Sequence, residues 1–124
     1  MSDLPAANNL LGIVGPCSAG KSTLISKLQV QGYICRHIAQ EHSYVPDMWL
    51  KIVNPRVLIY LEVNYETSMH RRPLNLSSKE FDEQVNRLSH VRQNAHIFVD
   101  TVPLSPGEVY QAVMDALVEQ SVEP

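Results

Sequence analysis

The segment Gly15-Pro16-Cys17-Ser18-Ala19-Gly20-Lys21-Ser22 satisfies G-x-x-x-x-G-K-[ST] at each specified position. That pattern is a loop whose backbone N–H groups converge on phosphate oxygens, with a lysine for the outer phosphates and a hydroxyl for Mg²⁺. Its context decides the fold. Leu10-Leu11-Gly12-Ile13-Val14 precedes it as a short apolar run of the kind a buried parallel strand carries. The residues after it, Ser22 to Gln31, place Leu24, Ile25 and Leu28 on one helical face. Strand, glycine-rich loop and helix in that order set the helix N-terminus, with its unpaired N–H groups and positive dipole end, where an anion would sit.

Working outward, the spacing predicts a second strand over Tyr33 to Ala39, of mixed polarity and therefore exposed. A short helix is expected over Asp47 to Val53, burying Trp49, Ile52 and Val53. Arg56 to Val63 is almost wholly apolar and β-branched or aromatic, the composition of a central strand covered on both faces. Asn64 is placed to cap a helix that carries Tyr65 and Met69 on one face and stops at Pro73. Ser77 with Glu80, and Ser105 with Glu108, form capping boxes. The first opens a helix expected to run to about Ala95, and the second opens a final helix with Pro106 at its first position. Between them His96 to Thr101 reads as the last strand. Alternating strands and helices imply an α/β fold: one three-layer domain over residues 1–124 with a mainly parallel sheet of about four to five strands.

Composition limits the function classes. Hydrophobic residues make up 44% and charged residues 19%, an ordinary globular mixture. Ten basic against thirteen acidic residues leave a net charge of -3, so no general basic field points to nucleic acid. No apolar run is long enough to span a bilayer, and Met1 to Asn9 lacks the organisation of a signal peptide, so a cytoplasmic location is the expectation. Cys17 and Cys35 form neither a disulfide framework nor a metal spacing, and both are expected to be reduced. The five histidines share no metal-ligand spacing on one element, which argues against zinc.

Phosphoryl transfer asks for a carboxylate near the Mg²⁺ or the attacking hydroxyl, and for cations that neutralise charge as it develops. Glu41, Glu62 and Asp100 all fall near the C-terminal ends of predicted strands, where ligands gather in open α/β sheets. Glu41 is preferred as base or metal organiser because a polar connector follows it. Glu62 could simply pair with a basic neighbour, and Asp100 could cap the final loop. Arg71 and Arg72 close a helix just before a loop, a position from which guanidiniums could fold over a triphosphate. Arg87 and Arg92 read as a solvated face. His42 is a candidate only because it adjoins Glu41, and Trp49 reads as core more readily than as the wall of a pocket.

The stretch from Ile13 through Ser22, Thr23 and Leu24 resembles the phosphate-binding loop of the small P-loop kinases, the nucleoside, nucleotide and shikimate kinase group. Val57 to Val63 followed by Arg71-Arg72 looks like that group's late strand and arginine-bearing lid. His96 to Thr101 with Leu104 to Val109 is similar to its last strand and final helix. The resemblance implies binding of ATP and Mg²⁺ through Gly15, Pro16, Cys17, Ser18, Ala19, Gly20, Lys21, Ser22 and Thr23. It further implies transfer of the γ-phosphoryl group to a small hydroxyl- or phosphate-bearing acceptor, with Lys21, Glu41, Arg71 and Arg72 acting in transfer and Ser22 and Glu41 holding the metal. Two departures keep an alternative open, a degenerate nucleotide-binding module that signals to a partner without turnover. The chain offers four strands where that group has five, and His42 stands where an arginine is expected after the acidic residue.

Overall fold

The computed structural model describes residues 9–71 and 76–124. The order of elements is β1 (Leu10–Val14), α1 (Lys21–Val30), β2 (Ile34–His37), a 3₁₀ turn (Gln40–His42), α2 (Met48–Ile52), β3 (Val57–Glu62), α3 (Tyr65–Arg71), α4 (Ser78–Arg87), α5 (Ser89–Gln93), β4 (Ile97–Asp100) and α6 (Pro106–Glu119). The four strands form one parallel sheet in the order β2-β1-β3-β4. After β2 the chain returns to the other side of β1, so the strand order reverses between β1 and β3. A crevice therefore opens at the carboxyl ends of those two strands.

β3 is the central strand its composition predicts. Val57, Ile59 and Leu61 enter a core that also takes Leu24 and Leu28 of α1 and Val109, Val113 and Leu117 of α6. Leu58 and Tyr60 point to the opposite face, against Trp49 of α2, Leu88 and Val91. The period of two along a strand puts one residue set on each face, which is why a continuous apolar run is needed here. β2 lies at one edge with only Cys35 of its four residues buried, consistent with its mixed polarity. β4 forms the other edge and alternates buried Ile97 and Val99 with exposed Phe98 and Asp100.

Both capping boxes are present. The Ser77 hydroxyl accepts the Glu80 N–H while the Glu80 carboxylate accepts the Ser77 N–H, and Ser105 and Glu108 repeat the exchange. Asn64 Oδ1 accepts from the Thr67 N–H at 2.8 Å, the predicted cap of α3. Two sequence expectations fail in detail. The helix opened by Ser77 does not run unbroken to Ala95 but gives way at Leu88 to a second short helix. Its apolar period carries across the break because Leu88 and Val91 both turn into the second core. In α2 the single turn buries Trp49, leaves Val53 half-buried and leaves Ile52 in solvent at 65% exposure. No described helix is long and apolar enough to cross a membrane.

Candidate functional site

The loop between β1 and α1 is held by its own backbone geometry. Ser18 and Gly20 both adopt positive φ, 65° and 95°. Such left-handed residues turn successive N–H groups toward one concavity. Gly15 is required for a different reason: a Cβ there would lie 2.3 Å from the carbonyl oxygen of Leu61 on β3. The loop can pack against the central strand only without a side chain at that position. No side chain caps α1, so the N–H groups of its first turn remain without intrahelical partners and face the same space.

The Lys21 side chain turns inward from the loop. It is 7% exposed, and its ammonium donates to the Gly15 carbonyl and, at 2.6 Å, to Glu41 Oε2. Glu41 is itself 3% exposed, and its second oxygen, Oε1, is buried without a hydrogen-bond partner. The carboxylate thus sits beside the loop as the sequence reading placed it, in a buried ion pair with the lysine. Lys21, Ser22, Thr23, His37, Glu41 and His42 line one cavity of about 400 Å³. Burial lowers the His37 pKa, and the nearby Lys21 ammonium lowers it further.

A second cavity, about 380 Å³, lies on the other side of the loop between Ala19, Leu24, Arg71, Thr101, Leu104 and Val109. It is mostly apolar. Arg71 is brought to its rim, where the guanidinium donates to the carbonyls of Ser18 and Thr101 and to Thr101 Oγ1. Thr101 Oγ1 in turn donates to the Glu62 carbonyl at 2.7 Å, so the end of α3 is tied to the ends of β3 and β4. Arg72 lies outside the described residues.

The competing carboxylates are elsewhere. Glu62 faces Arg92 at 3.5 Å, and Asp100 accepts the Val102 N–H at 3.1 Å as a local loop cap. Neither lines the two cavities that flank the loop. Trp49 is core, with its indole N–H donating to His90 Nδ1 at 3.0 Å.

The reading as a solvated face holds for Arg92, which is 48% exposed, and is corrected for Arg87. Arg87 donates to the Glu41 carbonyl at 3.1 Å and stacks on Tyr44, while Arg92 lies over the exposed Phe98 ring and reaches Glu62. Gln84 is likewise a contributor that the sequence reading passed over. Its amide accepts from the Cys17 N–H and donates to Cys17 Sγ, both at 3.3 Å. Gln40 fixes the acidic segment from the other side, bonding the Val45 carbonyl and the Trp49 N–H. The available signal was weak: Gln84 borders the apolar stripe of α4 and is buried beside Phe81, with Arg87 three residues on, and helical spacing alone does not separate such residues from surface ones.

No family model and no curated protein sequence matches the chain. Gly15 to Ser22, the Lys21–Glu41 pair and Arg71 converge on two cavities that meet at one loop. Cys17 and Cys35 are both free thiols, and burial pushes the Cys35 thiol up to about 11.

Proposed function

We propose that the chain is an ATP-binding phosphotransferase of the P-loop kinase type, moving the γ-phosphoryl group to a small hydroxyl- or phosphate-bearing acceptor. The observation that carries this reading is the burial of the Lys21–Glu41 pair against a cavity that Ser22 and the first turn of α1 also border. A lysine and a carboxylate at such depth are costly to keep charged without a role or a partner. Beside the loop amides and Ser22, the pair would serve phosphate, metal and acceptor in turn.

In this reading the apolar cavity beside Leu104 and Val109 takes the base, and the loop amides and α1 take the phosphates. Lys21 exchanges its protein partners for phosphate oxygens when nucleotide binds. Ser22 and Glu41 fit Mg²⁺ by donor type, since both are oxygen ligands and Glu41 Oε1 has no protein partner. When bound, the ion would neutralise charge on the transferring group. Glu41 is then placed to orient the acceptor hydroxyl or take its proton, while Arg71 screens the phosphates from the rim. The acceptor lies in the cavity lined by His37 and His42.

Glu41→Gln tests the assignment. The change frees Lys21 from its buried partner, so nucleotide affinity measured by calorimetry should not fall, while ADP formation with an active acceptor should fall by about 10² to 10⁴-fold, the range for a general acid-base group. Wild-type protein that forms no ADP above background across nucleosides, nucleotides and small alcohols would remove the enzyme reading. A second reading, a nucleotide-responsive binding module, draws on one observation: Lys21 and Arg71 are already bonded to protein acceptors. Nucleotide entry would have to release Lys21, so binding alone could reset the Glu41 segment.

A further inference from the structure

We propose that Cys17, Glu41 and His42 form a three-ligand site for a borderline-soft divalent cation, Zn²⁺ being the best fit. The cysteine Sγ, a carboxylate oxygen and an imidazole nitrogen all lie within 4.8 Å of one another. Ligands of a tetrahedral zinc ion stand about 3.3 to 3.6 Å apart when the bonds are about 2.0 to 2.3 Å long. His42 is 63% exposed and free to turn, which lets its imidazole close on the other two ligands. Cys17 and Glu41 are held from behind. Gln84 fixes the cysteine at both its N–H and its sulfur, and Arg87 fixes the Glu41 carbonyl.

The charge arrangement suits a dication. A thiolate and a carboxylate supply two negative charges against the one positive charge of Lys21. His42 Nε2 stands 3.8 Å from Glu41 Oε2, the oxygen that Lys21 also holds, while Oε1 is buried with no partner, so the carboxylate has acceptor capacity beyond the lysine. The donor set discriminates against Mg²⁺, which prefers oxygen, and favours zinc through sulfur and nitrogen. Three protein ligands beside a cavity leave the fourth position to water or to a ligand within it. Sequence spacing hid this site because its residues come from two separate loops, brought side by side by the parallel pairing of β1 with β2. Where Glu41 serves phosphoryl transfer, occupancy withdraws it and the cation becomes an inhibitor. That consequence rests on the function proposed above, whereas the site does not.

The test uses the reduced full chain without nucleotide, so its outcome is independent of the kinase reading. Co²⁺ added as a zinc surrogate should give a thiolate-to-cobalt charge-transfer band with the intense visible absorption of four-coordinate Co²⁺, and Zn²⁺ should displace it. Cys17→Ser should abolish the charge-transfer band, His42→Asn should weaken binding at least about tenfold, and Cys35→Ser should leave the band intact. Alkylation of the wild-type chain, mapped by mass spectrometry, needs no variant: Zn²⁺ should slow modification of Cys17. A wild type with no charge-transfer band, a band that survives Cys17→Ser, or Cys17 alkylation unaffected by Zn²⁺ would overturn the site.

Discussion

Lys21→Met in the nucleotide-free chain isolates the buried pair from any question of ligand. At 2.6 Å, and with an effective dielectric constant of about 20, the attraction between the two charges is about 6 kcal/mol. Desolvation of both ions offsets most of it, so the intact pair adds little net stability. Removing one partner is another matter. The Glu41 carboxylate, 3% exposed, keeps its desolvation cost and loses its counter-charge, a change worth roughly 3 to 5 kcal/mol. With a urea m-value of roughly 1.5 to 2 kcal/mol per M, the midpoint should fall by roughly 1.5 to 3 M. Lys21→Met/Glu41→Leu, which removes both charges and keeps the volume apolar, should recover most of the loss. A single variant within about 1 kcal/mol of wild type, or a double variant no more stable than the single, would refute the claim that the pair is coupled and desolvated.

Gly15→Ala and Gly20→Ala separate two reasons for a glycine in one loop. The first sets a methyl against the Leu61 carbonyl and should cost about 1 to 3 kcal/mol or more. The second meets open space and pays only for its positive φ, at about 1 to 2 kcal/mol; equal losses in thermal melts would contradict this ranking. Acid titration should show two windows. The His37 pKa is lowered on folding from 6.5, so above that value the residue is neutral in both states. As pH falls below it, the unfolded chain takes a proton that the folded chain resists, and stability declines until the folded pKa is passed. The Glu80 and Glu108 carboxylates, held below 4.5 by the Ser77 and Ser105 N–H groups, contribute stability above that pH and lose it as they protonate. Urea midpoints from about pH 2.5 to 8 should decline in both windows, and His37→Asn should remove only the upper one.

Most of the fold was legible because its signals are local. The apolar run of β3, the two Ser-x-x-Glu boxes and the glycine pattern each specify an element without reference to distant residues. Glu41 was also legible, as a carboxylate leaving the strand that follows α1. What escaped the sequence depends on which residues from separate elements meet. Lys21 turns inward because Glu41 waits there, and Arg87 turns inward because the Glu41 carbonyl needs a donor. Ile52 and the break at Leu88 fall to the same cause, since helical spacing names a face but not its extent. Periodicity cannot tell an arginine bound to a distant carbonyl from one in water.

Gln84 and Arg87 give α4 a mechanical character. They stand three residues apart on one side of the helix, one gripping the loop after β1 and the other the segment after β2. The rod between them works as a gauge block: alongside the Lys21–Glu41 pair, it sets the gap between the two loops to the rise of three helical residues, about 4.5 Å. A displacement of α4 along its axis would carry both loops together and preserve their spacing, whereas rotation about that axis would loosen both grips at once. The site is thus tolerant of sliding along α4 and sensitive to its twist.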